Sequence, residues 1–231
     1  MTTPHSPRLA YVHIGKSAGT WLRTMLEQNY DPEEICHFRF QGQFDRAQRV
    51  SYIGKKLFSA HIGHDFASTL DARLITVLRN PFDRIVSLYH YWREVENAPA
   101  LVREMEFDQF LDWHFEMIGQ DIDNAQTWQI AFGHTAAVRR KHAHLSKDQV
   151  LDKARKNLAS YAAVGLFERL PEFAQRLQAE FGFEEFALDQ QINPTRKREK
   201  LGALTLAQRA KIYARNDMDV ALYEYVLSGT V

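Results

Sequence analysis

The chain has 231 residues, enough for one large domain or two small ones with a buried core. Hydrophobic residues make up 45% and charged residues 25%, a globular balance that excludes wholesale disorder. Lys plus Arg and Asp plus Glu each total 29, so the formal net charge is zero and long-range attraction to nucleic acid or an anionic membrane is excluded.

Residues 9–14 (LAYVHI) are a short apolar run ending at Gly15 and predict a buried strand. A helix is expected from about Thr20 to Asn29, with Trp21, Leu22, Met25 and Leu26 at helical spacing. Residues 57–60 (LFSA) and 73–78 (RLITVL) predict two further strands. Asn80-Pro81 stops the second and presets a helix through Ile85, Leu88, Tyr89 and Trp92. Ser146 and Gln149 form a capping-box pattern for a helix toward Leu158. Residues 162–167 read as a late strand, 171–181 as an amphipathic helix ending at Gly182, and 205–227 as a long helical segment. Strands alternating with helices predict an α/β fold of three layers, a central parallel sheet flanked by helices. Ligands of such sheets sit beyond the carboxyl ends of the strands. Gly15, His61 and Arg79 all fall there.

Cys36 is the only cysteine, which excludes an intramolecular disulfide, a Cys-rich zinc site and a CxxC pair and favours a reducing compartment. The N-terminal MTTPHSPR leads into no signal-type apolar run, and no run is long enough to span a bilayer. The expectation is a soluble cytoplasmic protein with no membrane span and no nucleic-acid partner. No repeat or linker divides it, so residues 1–231 read as a single domain with 1–8 as a flexible N-terminus.

The segment Gly15, Lys16, Ser17, Ala18, Gly19, Thr20, Trp21 joins the first strand to its helix. Its glycines allow a tight turn whose N–H groups converge on an anion, and the helix N-terminus adds further donors. Lys16 supplies a charge, and Ser17 and Thr20 supply hydroxyls. A plain turn with a surface lysine is the other reading. AYVHIGKS nearly fits the nucleotide-triphosphatase pattern GxxxxGK[ST], but Ala10 replaces the first glycine and residues 11–14 look like strand. Such an enzyme also needs an acid after a second strand to hold magnesium, and Arg79 stands there instead. Arg79 can grip a phosphate through two parallel hydrogen bonds, with Ser87 adding a hydroxyl further along the helix. Alternatively, Arg79 pairs with Asp83 and Ser87 is a small packing residue.

Taken together, HIGKSAGT and R-x-P-x-x-R-x-x-S-x-Y, the latter met by residues 79–89, resemble the sulfotransferases that use 3′-phosphoadenosine 5′-phosphosulfate (PAPS). The likeness is to the carbohydrate type that includes heparan sulfate 2-O-sulfotransferase. Weaker signatures at 60–64, 124–133, 164–170 and 216–224 extend it over most of the chain. The resemblance implies a P-loop-like fold and sulfuryl transfer from PAPS to a hydroxyl acceptor, a glycan or small molecule, leaving PAP and requiring no metal. It further implies that Lys16, Ser17, Ala18, Gly19, Thr20 and Trp21 line the 5′-phosphosulfate, and that Arg79 and Ser87 hold the 3′-phosphate. Thr195 and Arg196 lie in a loop resembling a late cofactor-covering loop. Gly15 stands where the family usually has proline, and Trp21 where it has a small or hydroxylic residue.

Lys16 is then the group that neutralises charge on the leaving phosphate. An acceptor hydroxyl must lose a proton, and His61, just past a strand and at the family's base position, is the candidate base. His64 is a second candidate base or acceptor contact; strand capping and an exposed polar role are the alternatives for the pair. His13 reads as a hydrogen-bonded structural residue within the first strand. His134, His142 and His144 fall in or beside a basic stretch, 139–144, read as a solvated loop or an acceptor surface. Trp92, Trp113 and Trp128 read as core. A magnesium-dependent P-loop kinase or hydrolase, and a PAP-binding protein without chemistry, are the competing functions.

Overall fold

The computed structural model describes residues 7–96, 98–113, 116–183 and 204–229, with the backbone alone at 116–118. Its sheet has five strands: β1 (Leu9–Val12), β2 (Ile35–Cys36), β3 (Leu57–Ala60), β4 (Arg73–Leu78) and β5 (Ala163–Leu166). All pair in parallel, in the order β2-β3-β1-β4-β5. β1 is central, and its four residues are fully buried because both sheet faces are covered. Alternation along it sends Leu9 and Tyr11 to one apolar cluster and Ala10 and Val12 to another.

Helix α1 (Gly19–Glu27) follows β1, while α2 (Gln41–Arg46) and α3 (His64–Ala67) flank β3. After β4 come α4 (Pro81–Glu94), α5 (Ala100–Glu104), α6 (Phe107–Leu111), α7 (Glu116–Ile122) and α8 (Ala125–Ala131). The chain continues through α9 (Ala136–Lys141), α10 (Lys147–Leu158), α11 (Leu170–Phe181) and α12 (Leu206–Leu227). Leu22, Met25 and Leu26 of α1 and Phe173, Ala174 and Leu177 of α11 cover the Tyr11 face. Residues of α8, α10 and α12 cover the Val12 face. The expected three-layer arrangement is therefore present. No helix among the described residues is long and apolar enough to cross a membrane.

Two local readings need correction. β1 stops at Val12, so His13 and Ile14 lie beyond the strand rather than inside it. Register then sets the neighbours of His13: Val12 sits opposite Ala60 and Thr76, so the next residues, His13 and His61, emerge side by side. The stretch 139–144 is a loop only in part: α9 runs to Lys141 and a turn follows, with Arg140, Lys141, Ala143 and His144 exposed. Arg139 belongs to α9, stacks on Trp128 and donates to the Gln120 carbonyl, while His142 stacks on Phe132 at 3.9 Å between ring centroids.

Helix α8 is the clamp that holds the strand ends, and α12 caps it. Asn216, with φ −132°, interrupts α12 and turns the following residues toward α8. Asp219 is 1% exposed and accepts from the N–H groups of Gln126 (3.2 Å) and Thr127 (2.7 Å) and from the Thr127 hydroxyl (2.7 Å). Asn124 returns a bond, its Oδ1 accepting from the Asp219 N–H at 3.0 Å. At the other end of α8, a Cβ on Gly63 would lie 2.2 Å from the Cα of Gly133, so only glycine lets the two backbones touch. Asp219→Ala leaves three buried donors unmatched and removes the counter-charge facing Arg84. It should cost about 3 kcal/mol or more in urea unfolding, with Asp219→Asn losing less.

Candidate functional site

The connection from β1 to α1 is pinned on its carbonyl side. The His13 carbonyl accepts from Gln129 Nε2 at 2.9 Å and the Ile14 carbonyl from the Ser17 N–H at 3.3 Å. Arg84 Nε donates to the Gly15 carbonyl at 3.0 Å, and an Arg79 guanidinium nitrogen to the Lys16 carbonyl at 3.0 Å. The Tyr11 hydroxyl reaches the Ser17 carbonyl at 3.4 Å. Five successive carbonyls thus face protein donors. Lys16 (φ 68°) and Ala18 (φ 63°) are both left-handed, which turns neighbouring N–H groups to a common side.

That common side is equipped for an anion. Ala18 caps α1 without a side-chain hydrogen bond, so the cap residue places no side-chain acceptor on the helix N-terminus. Ser17 is fully buried and its Oγ has no protein partner, an orphaned donor beside the loop. Thr20 and Trp21 begin the helix, and Trp21 packs onto the apolar cluster beneath α1. The expectation that glycines make the turn is overturned. Gly15 lacks a positive φ and is held by Arg84, whereas Gly19 is required because a Cβ there would lie 1.4 Å from His13 Nε2. The Lys16 ammonium lies 4.5 Å from the ring centroid of Tyr91 on α4.

Arg79, 5% exposed, leaves β4 with its guanidinium 4.1 Å over the Phe167 ring and bonded to the loop. The two predicted segments therefore meet at one strand end. Gln126 fixes the Arg79 peptide from both sides, at 2.9 Å each, as acceptor for its N–H and donor to its carbonyl. Ser87 is 6% exposed on the same buried face of α4 as Arg84. Asn80 caps α4 with its own side chain, accepting from Phe82 and Asp83 N–H groups.

The histidines fall into separate settings. His13 and His61 stack at 3.9 Å between centroids, and Phe40 stacks on the far side of His61 at 5.4 Å. Burial pushes the His13 pKa well below its ordinary value, with His61 next and Arg23, Lys16 and Arg39 adding repulsion. Burial likewise lowers His61 to about 4, helped by His134 and Arg23 and opposed by a hydrogen bond to the His13 backbone. Both rings are neutral at pH 7. His64 is not brought to this stack: it opens α3 and its Nδ1 meets the Tyr161 hydroxyl at 3.4 Å. Thr195 and Arg196 lie outside the described residues. No group of three or more His, Cys, Asp or Glu residues suited to a metal occurs among those described.

Sequence reasoning counts Arg84 in the 79–89 motif and Gln126 and Gln129 in the 124–133 signature but gives none of them, nor Tyr91 or Phe40, a role of its own. A signal exists for the glutamines, since Gln126 and Gln129 recur at helical spacing on a short helix otherwise buried. For Phe40 and Tyr91 no local pattern exists.

A family model described as "Sulfotransferase family" matches residues 1–226. A search of curated proteins finds no match. Among solved structures, a mouse sulfotransferase, SULT7A1, in complex with PAP is similar at 14% identity and a TM-score of 0.44, over 90% of this chain. The present chain spans 63% of that protein's chain. A sulfotransferase from Alicyclobacillus acidocaldarius is similar at 18% identity and a TM-score of 0.49, over 96% of both chains.

The depressed His61 pKa has a consequence for stability. The unfolded chain takes up a proton near pH 6.5, the folded one only near 4, so as pH falls between these values stability is lost. Each pKa unit is worth about 1.4 kcal/mol, giving a loss of about 3 kcal/mol from this residue, with His13 acting in the same direction. Urea midpoints should fall from pH 7 to pH 4. His61→Phe, which keeps a ring in the stack, should flatten that dependence.

Proposed function

The chain belongs to the sulfotransferase family, and from that premise we propose that it transfers a sulfuryl group from PAPS to a hydroxyl of a carbohydrate acceptor. The observation that carries the reading is the donor side of the loop at residues 15–21, joined through the Lys16 carbonyl to Arg79. One bisphosphorylated nucleotide can bridge the two segments. The residues fit such a group: an open helix N-terminus, the orphaned Ser17 hydroxyl and two cationic side chains. In this reading Gly15 to Trp21 line the 5′-phosphosulfate, and Arg79 and Ser87 take the 3′-phosphate. Arg79 also stands where a metal-dependent phosphoryl-transfer enzyme would carry an acid, which disfavours that alternative.

PAPS supplies the sulfuryl group and departs as PAP. Transfer of this kind is dominated by positioning and by charge stabilisation. Lys16, whose ammonium lies over the Tyr91 ring, neutralises the negative charge that grows on the departing phosphate oxygen. His61 accepts the acceptor proton. Its low pKa makes it a weak base in the ligand-free protein, but a polyanion on the adjoining loop stabilises imidazolium and raises that pKa toward neutrality. His64, beside Tyr161, is the candidate for a more remote acceptor contact. A cytoplasmic setting belongs to the same proposal, supported by the single, buried Cys36 thiol.

Calorimetry tests the cofactor assignment. PAP should bind without magnesium and more tightly than AMP, which lacks the 3′-phosphate, and ATP should not replace it. Arg79→Lys and Ser87→Ala should narrow the difference between PAP and AMP, while Lys16→Ala should lower kcat about 10²- to 10³-fold. Equal affinity for PAP and AMP would remove the 3′-phosphate role. The histidines supply a second measurement: if PAP raises the His61 pKa, the bound state holds more protons and PAP affinity increases as pH falls from 7 to 5. Histidine NMR titrations with and without PAP should show the upward shift.

A further inference from the structure

Helix α4 touches the loop at residues 15–21 twice. Arg84 Nε donates to the Gly15 carbonyl at 3.0 Å, and the Lys16 ammonium lies 4.5 Å from the ring centroid of Tyr91. Arg84, Ser87 and Tyr91 are spaced by three and four residues, which puts them on one face of the helix. Ser87, between the two contacts, is buried, whereas Tyr91 is 42% exposed.

The two contacts act on different parts of Lys16. Its backbone is fixed from both sides, since Arg84 holds the preceding carbonyl and Arg79 its own, with φ at 68°. Its side chain is a flexible four-carbon stem with a compact charge at the tip, and fixing that tip costs rotamer freedom. A cation within about 6 Å of an aromatic centroid and over its face is attracted by the ring quadrupole. Tyr91 therefore restrains the part of Lys16 that the backbone bonds do not reach. Because Ser87 lies one turn earlier on the same face, the ring keeps the ammonium beside the helix surface assigned to the nucleotide.

We propose that Tyr91 is a positioning residue, whose ring face holds the Lys16 ammonium where it meets the 5′-phosphate end of the nucleotide. This rests on the reading of the loop as the PAPS site. The ring acts through the lysine, so its effect follows the charge on the ligand's 5′ end. PAP carries in full the charge that is only developing on the departing phosphate during transfer, so PAP affinity reports the interaction. A ring that parked the lysine away from the ligand would act with the opposite sign, because binding would have to break the contact.

Calorimetry compares PAP with adenosine 3′-monophosphate, which lacks the 5′-phosphate. Tyr91→Leu should weaken PAP about two- to fivefold and leave adenosine 3′-monophosphate unchanged. Retained binding of the monophosphate also shows the variant folded. Tyr91→Phe, which keeps the ring face, should restore PAP affinity. In a Lys16→Met background Tyr91→Leu should have no effect on PAP, because the cation through which the ring acts is gone. A merely structural tyrosine would instead weaken both nucleotides, in both backgrounds. That result overturns the proposal, as does unchanged PAP affinity in Tyr91→Leu, or tighter PAP binding, which would make the ring a resting place for the lysine. Failure of wild-type protein to bind PAP removes the cofactor assignment itself, whereas PAP binding with any of those three results removes the role of Tyr91 alone.

Discussion

Each peptide unit carries its donor and acceptor on opposite edges, so a loop can offer its N–H groups to an anion only if its carbonyls are satisfied elsewhere. In this protein five consecutive carbonyls, from His13 to Ser17, are taken by Gln129, the Ser17 N–H, Arg84, Arg79 and Tyr11. Much of the surrounding architecture serves that constraint. Gln129 also holds the Ile62 carbonyl at 2.9 Å, Gln126 fixes the Arg79 peptide, and α8, which carries both glutamines, is itself capped by Asp219 from α12. The far C-terminal helix thus sets the position of a loop near the N-terminus.

The same arrangement governs where positive charge is placed. A chain of zero net charge has no global field to draw in an anion, so attraction must come from local cations and dipoles. Arg84 is 2% exposed and donates to backbone carbonyls at Gly15 and Asp121, with Asp219 and Asp121 as its electrostatic partners. It is therefore scaffolding whose charge is already balanced. Arg79 is held differently, resting on the face of Phe167 while it donates to the Lys16 carbonyl. Lys16 likewise has an aromatic ring beneath its ammonium.

How much of this could be read from residues alone depends on chain distance. The β1–loop–α1 and β4–α4 units are contiguous, so their apolar runs, the Asn80-Pro81 stop and the Gly-Lys-Ser stretch are written locally and legible there. The meeting of Arg79 with Lys16 follows once both strands are assigned to one parallel sheet. Whatever needs register or a remote partner escapes such reading. The His13–His61 stack exists because Val12 pairs with Ala60, a one-residue detail that no periodicity reports, and a strand read two residues too long places His13 inside it. Two-residue β2 and the short α2 carry too few residues for a hydrophobic period, so Phe40 has no context. The direction of Arg84 is likewise a tertiary property, set by the packing of α4 on the sheet.

Left-handed backbone falls at unexpected residues in this loop. Glycine takes that conformation at no steric expense, yet Gly15 and Gly19 do not use it, whereas Lys16 and Ala18 do. Each such residue costs roughly 1–2 kcal/mol. Relaxing Lys16 would rotate its flanking peptides and release carbonyls from Arg84 and Arg79, both of them largely removed from water, and a buried guanidinium losing its acceptor costs more than the strain it would relieve. Gly19 is reserved for another purpose, leaving room for the His13 ring. The loop is strained because its anchors are buried.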